Sequence, residues 1–341
     1  MSDALVANTP EVVERSRVED VAAWNVASLN EAGSIHYSLS AKEVDALRLL
    51  ISRTAHIPTQ STTREHYQHP ALDGCMQHLK DELLAGRGVV VITGIDPTEF
   101  PPDEQERIFW AFGTHLGIAA VQSASGDRIG HVRAEAVNPK NRGYMSDREL
   151  GLHSDAYEIV GLMCLQPAAE GGDTRLASGL AIHNEMLLRS PHLLPALYRG
   201  FPYATAEAAG AKSPVTPYPV PVFSERDGKT SCMCLSAYMH SAAERLGTRL
   251  PDDLVQALNE FFEIGNSPDF CFQFPLKPSE MLFCNNFVLL HARTAFKNSE
   301  THQRHVLRLW LKVPDGRPVV RPLIDRGEEY ERIYSAQASA N

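Results

Sequence analysis

From about residue 157 the chain is written in short apolar stretches cut by Gly and Pro turns, and this constrains the fold more than any other feature. Strands that are not joined by regular βαβ units do not build a parallel doubly wound sheet. They predict an α+β protein with an antiparallel sandwich and helices packed outside it. Two helices interrupt the run, near 180–188 and 251–264. Upstream, Ser40 and Glu43 have the spacing of a capping box, and Val44, Leu47, Leu50 and Ile51 follow at helical intervals. A second helix is expected over 70–84, with Leu72, Met76, Leu79 and Leu83 on its buried face and Gly86 as terminator. The run GVVVITGI at 88–95 reads as a buried strand, and 101–116 as a third helix with Pro in its first turn and Gly117 just past its end. Residues 1–39 show no clear periodicity and are expected to form a loosely held arm ahead of a single domain over 40–341.

A hydrophobic fraction of 43% over 341 residues is enough for a sizeable core. The net charge of -10 leaves no basic excess to neutralise phosphates, so nucleic acid is excluded as a partner class. No segment approaches the roughly 18 consecutive apolar residues needed to span a bilayer, and the N-terminus lacks the pattern of a secretory signal. A cytoplasmic location without membrane contact is expected. The six cysteines are scattered without C-x-x-C spacing, which reads as buried reduced thiols; Cys232 and Cys234 share one strand face but are expected to pack, not to bind metal.

The chemistry concentrates in a few motifs. In LHSD, His153 and Asp155 are two residues apart, so on a strand they aim an imidazole and a carboxylate at one point. The apolar stretch MLFCNNFVLLH, residues 281–291, ends in His291 and can return beside the first strand. His153, Asp155 and His291 then make a facial triad of two histidines and one carboxylate, the arrangement that leaves positions open on iron(II). In RHVLRLWL, Arg304, Val306 and Arg308 share one face of a strand while Leu307, Leu309 and Leu311 take the other. Arginine on so apolar a strand is costly unless it meets an anion, and a dicarboxylate cosubstrate would supply one. The GGDT turn at 171–174 adds Thr174, whose hydroxyl can donate to the same carboxylate.

The order LHSD, EGGDT, NNFVLLHARTAF and RHVLRLWL, with GVVVITGI and a helix ending THLG before it, resembles the TauD/TfdA branch of the Fe(II)/2-oxoglutarate dioxygenases, which includes taurine dioxygenase and is related to clavaminate synthase. The resemblance covers about residues 85–318. It implies a double-stranded β-helix, or jelly roll, with helices outside, and iron held by His153, Asp155 and His291. It also implies that Arg308 pairs with the far carboxylate of 2-oxoglutarate with help from Thr174, while Arg304 sits near the carboxylate at the iron end. Because Asp155 is present, the family's halogenating variant is not implied. The implied activity is O₂-dependent oxidation of an unactivated C–H bond, by hydroxylation, desaturation or cyclisation, with release of succinate and CO₂.

Arg293, two residues past His291, is a candidate either to support the iron site or to touch substrate, and Asn138 and Tyr144 are candidates for the pocket. His183, His192, His240, His302 and His305 are expected to be packing or surface residues. The match is looser over 123–150 and 203–225, the segments that would select the substrate, so a natural-product intermediate is favoured over a sulfonate or other small organic acid. A zinc hydrolase would leave Arg304, Arg308 and the GGDT turn without a role, and a non-enzymatic jelly roll would bind a small acid without consuming O₂. Nothing in the sequence indicates an oligomeric state.

Overall fold

The computed structural model describes residues 15–123, 125–134, 146–205 and 213–338. In chain order the first elements are α1 (Val26–Glu31), β1 (His36–Ser38), α2 (Ala41–Thr54), α3 (Pro70–Leu84), β2 (Val89–Thr93), α4 (Pro102–Leu116), β3 (Ile118–Ala119), β4 (Ile129–Arg133) and β5 (Leu150–His153). There follow β6 (Ile159–Gln166), β7 (Glu170–Gly171), β8 (Thr174–Ser178), α5 (Gly179–Arg189), α6 (Leu194–Arg199), β9 (Phe223–Arg226), β10 (Lys229–Cys232), α7 (Ser236–Arg245) and α8 (Asp252–Asn266). The described chain closes with β11 (Cys271–Phe274), β12 (Met281–Asn285), β13 (Leu289–Arg293), β14 (Phe296–Lys297), β15 (His305–Lys312) and α9 (Arg321–Ala338).

Two sheets carry the architecture. The larger runs β1-β2-β12-β6-β15-β3, with β4 also paired to β15, and the smaller runs β11-β8-β13-β5. Apart from the parallel β1–β2 pair, these ladders are antiparallel. Alternation along each strand sorts the side chains into layers. Ile92, Phe283, Leu307, Leu309 and Leu311 pack against Leu47, Leu79, Phe109 and Phe112 of the N-terminal helices. Val91, Leu282, Val160 and Trp310 point the other way, into a core shared with Leu176 and Leu289 of the smaller sheet. The outer side of that sheet meets Ile182, Leu254 and Phe261 of α5 and α8 through Leu152, Ala177 and Leu290. Each of the buried Val, Leu, Ile and Phe side chains contributes about 1.5–3 kcal/mol by leaving water. Gly161 of β6 lets two rings pack onto the strand: a Cβ there would lie 2.6 Å from the Phe283 ring and 3.1 Å from Phe109.

The helices expected after Ser40 are present, and the Ser40–Glu43 capping box forms. The N-terminal segment differs from expectation. Within the described residues, 15–39 are not a loose arm: Trp24, Leu29 and Ile35 are buried, the Trp24 indole donates to the Arg87 carbonyl at 2.8 Å, and β1 extends the larger sheet. Their anchors are long-range contacts, which local periodicity does not reveal. The five buried cysteines and the half-buried Cys271 are all free thiols, as expected.

Candidate active site

His153 ends β5, and His291 stands opposite it in the antiparallel pair with β13. The two rings are 4.2 Å apart, centroid to centroid. The stretch 281–291 is not one strand, however. β12 lies in the larger sheet and β13 in the smaller, and the turn between them carries the chain across. Asp155 likewise lies beyond the end of β5 and reaches the histidines from the β5–β6 connection. Asn286, in the β12–β13 turn, holds that connection: its Oδ1 accepts from Asp155 N at 3.2 Å and its Nδ2 donates to the Tyr157 carbonyl at 2.8 Å. One ligand atom from each of His153, Asp155 and His291 lies within 4.8 Å of the others.

The electrostatics suit a cation. His153 Nδ1 bonds the Gly151 carbonyl at 2.9 Å, which leaves Nε2 to carry the lone pair. Burial, and then the neighbouring His291, push its pKa down to about 4, so the ring is neutral at pH 7. Burial opposes ionisation of Asp155, but the hydrogen bond and charge of His291, with Arg308 and His153, outweigh it and hold the carboxyl below the usual range. Asp155 Oδ2 accepts from the Trp310 indole at 2.7 Å and lies 3.5 Å from His291 Nε2. His291 Nε2 thus faces the carboxylate, while its Nδ1 is buried with no hydrogen-bond partner among the described residues. The donor set therefore fits iron(II).

A cavity of about 510 Å³ opens onto this cluster, within the range of small-molecule sites. Its lining includes Thr174, Arg293, Arg304, Val306, Arg308 and Trp310. Val306, Arg308 and Trp310 thus share the cavity face of β15, with Arg304 just before the strand, while the alternating leucines go to the core. Arg308 stacks on Trp310, 4.1 Å from its ring centroid, and its Nε donates to Gln122 Oε1 at 2.8 Å. Gln122 Nε2 in turn donates to the carbonyls of Arg128 and Arg308, at 2.7 and 2.9 Å. Gly130, opposite Arg308 in the β4–β15 ladder, leaves room for that amide: a Cβ would lie 2.8 Å from its oxygen. Arg304 lies at the other end, beside the GGDT turn, where a Cβ on Gly172 would be 3.3 Å from its Nε. Burial lowers the Arg304 pKa.

Arg293 is a third cavity arginine, and its guanidinium holds backbone. It donates to the carbonyls of Ser146 and Arg148 and, at 3.3 Å, of Thr294, tying β13 to the segment entering β5. Asn138 and Tyr144 lie outside the described residues. His183 is buried against Tyr198 and Phe223, and His305 meets His131 and Arg133, as packing residues do. Gln122, Asn286 and Trp310 were not singled out from the sequence. Trp310 continues the alternation of Arg304, Val306 and Arg308, and Asn286 is one of two adjacent amides in an apolar stretch.

A family model described as "Taurine catabolism dioxygenase TauD, TfdA family" matches residues 59–310. The chain is 30% identical over 320 residues to FR-33289 synthase of Streptomyces rubellomurinus, covering 90% of each chain. Among solved structures, asparagine oxygenase in complex with Fe(II), 2S,3S-3-hydroxyasparagine and succinate superposes with a TM-score of 0.65 at 16% identity, over 82% of this chain and 94% of that one. The non-heme iron oxygenase OrfP in complex with Fe, succinate and (3S)-hydroxy-L-Arg gives 0.62 at 14% identity, over 81% and 94%. The fold is thus shared with known iron oxygenases, and the match over most of the chain places this protein in the TauD/TfdA family of dioxygenases.

Proposed function

We propose that the protein is an Fe(II)- and 2-oxoglutarate-dependent dioxygenase that oxidises an unactivated C–H bond of a small natural-product intermediate. The observation that carries this is the convergence of His153, Asp155 and His291 at one end of a cavity whose walls hold Arg304, Arg308 and Thr174. On this reading the two facing sheets are the halves of a double-stranded β-helix, a reading supported by the β12–β13 crossover between them. The His153 and His291 imidazoles and an ionised Asp155, fixed by Trp310, would hold the iron on one face. Bound there, iron and 2-oxoglutarate supply the oxidising power: one oxygen atom of O₂ leaves in succinate, with CO₂ as the other fragment, and the second goes to substrate.

The layout favours exchanging the roles that the resemblance implies for the two arginines. Arg308 is next to the iron ligands through Trp310 and bears electrostatically on Asp155 and His153. Arg304 is four residues earlier in the chain, about 13 Å in an extended strand, and adjoins the GGDT turn. Arg304 with Thr174 therefore suits the far carboxylate, and Arg308 the carboxylate at the metal, oriented by Gln122. Leu150, Leu162 and Val306 line the same space and keep water from the reacting carbon. Arg293 supports the wall. The similarity to a synthase over nearly the whole chain supports a biosynthetic step over catabolism of a sulfonate. Among the described residues no helix is long and apolar enough to cross a membrane.

The test is succinate release with a substrate identified by screening. His153→Ala and Asp155→Ala proteins, folded by circular dichroism, should show no substrate-dependent succinate; a variant that retains it contradicts the assignment.

A further inference from the structure

Arg326, on α9, is a fully buried side chain at 0% exposure, and neither the iron site nor the cosubstrate site uses it. Its guanidinium carbon lies 4.3 Å from the Tyr330 ring centroid, 4.9 Å from Tyr238 and 5.8 Å from Tyr203. None of its three nitrogens makes a hydrogen bond among the described residues. Glu329 Oε2 approaches Nη1 only to 3.8 Å and is itself without a hydrogen-bond partner there. Aromatic faces attract a cation but leave the five N–H donors of a guanidinium largely unfilled. A buried cation in this state has aromatic faces and one carboxylate at ion-pair distance but no acceptor on its N–H groups, and an anion within hydrogen-bond reach would complete it.

Its position says where the anion would come from. Tyr238 of α7 and Tyr330 of α9 both line the active-site cavity, and their hydroxyls meet at 2.5 Å, with Arg326 against both rings. The Tyr330 ring is 6.2 Å from Trp310, whose indole holds Asp155, so this wall borders the iron end of the cavity. Asp155 is the one acidic residue among the described lining, and the proposed function already commits it to metal. Arg304 and Arg308 are assigned to the cosubstrate and Arg293 to backbone carbonyls. Arg326 is the cation left over.

We propose that Arg326 anchors an oxyanion of the substrate, a carboxylate, sulfonate or phosphonate, that enters between Tyr238 and Tyr330. The anion would accept from the guanidinium and from the two phenols in place of their mutual hydrogen bond, leaving the remainder of the molecule directed at the iron. The proposal rests on the dioxygenase reading only for that last orientation.

The test is calorimetric titration of the full-length protein, under argon, with butyrate, propane-1-sulfonate and propylphosphonate, and with butan-1-ol as the neutral control. Each titration is run with and without saturating Fe(II) and 2-oxoglutarate. At least one acid should bind where the alcohol does not, should bind equally with 2-oxoglutarate present, and should lose tenfold or more in affinity in Arg326→Met. The Fe(II)–2-oxoglutarate absorption of that variant should match wild type. Tyr330→Phe and Tyr238→Phe, which keep the rings, should each weaken the acid severalfold and decide the matter if Arg326→Met does not fold. The proposal is overturned if no acid binds better than the alcohol, if 2-oxoglutarate displaces the acid, or if affinity is unchanged in the folded variants. Loss of the Fe(II)–2-oxoglutarate absorption in wild type would instead count against the dioxygenase reading while leaving the anion site standing.

Discussion

Trp310 links the two halves of the site, because its indole donates to Asp155 Oδ2 while its ring carries the Arg308 guanidinium. Trp310→Phe keeps a ring under the arginine and removes the donor. A hydrogen-bond partner of a ligating carboxylate typically changes metal affinity by about 10–100-fold. The variant should bind Fe(II) at least about tenfold more weakly, measured by competition with a chelator; unchanged affinity would show that Asp155 does not depend on the indole. Glu158 presents a different residue-level effect. Burial pushes its pKa up to about 7 from an ordinary 4.5, against the opposing hydrogen bonds from Arg317 N and Asn285. Between those values the folded protein holds a proton that the unfolded chain has released, so stability falls as pH rises through the window and the penalty is complete above it. The cost is on the order of 3 kcal/mol. Glu158→Gln should therefore be more stable than wild type at pH 8 and nearly equal to it at pH 4.5 in denaturant titrations; a difference independent of pH would contradict this. The ligand triad was legible because His153, Asp155 and His291 sit in motifs with a required spacing. Gln122 was not, because its partner Arg308 is 186 positions away in sequence.

At the level of elements, the β12–β13 turn is the least legible and the most consequential. An unbroken apolar stretch from Met281 to His291 reads as one strand, yet buried Asn285 and Asn286 divide it and deliver His291 to the opposite sheet. Two adjacent amides in an apolar run were the available signal. Asn286→Ala would leave Asp155 N and the Tyr157 carbonyl without their partner in a buried setting, at about 1–3 kcal/mol for each group. Thermal unfolding should show a lowered Tm, and the difference between metal-free and Fe(II)-loaded protein should shrink; an unchanged Tm would mean that the connection is held by other contacts. Helices were read closely where their signals are local. The Ser40 cap and the Pro70 start fix α2 and α3 almost to the residue. α6, α7 and α9 escaped notice because they are defined by what they pack on, as when Tyr238 and Tyr330 meet across the cavity wall.

Over the whole molecule, the site lies where two sheets face each other and helices close both outer sides, so strands of both sheets hold most of its residues. The larger sheet gives Arg308 and Trp310, the smaller gives His153, Thr174 and His291, and α7 and α9 complete the wall. The sandwich was inferred from turn-separated strands, but not that residues 15–39 belong to it, since Trp24 and Ile35 pack on residues distant in sequence. Anaerobic addition of Fe(II) and then 2-oxoglutarate to the metal-free protein, followed by visible absorption, tests the central claim most directly. The account predicts the weak charge-transfer band of an iron-bound keto acid, absent in His153→Ala and reduced in Arg304→Met at equal 2-oxoglutarate. A wild-type protein that binds Fe(II) and shows no such band would contradict it.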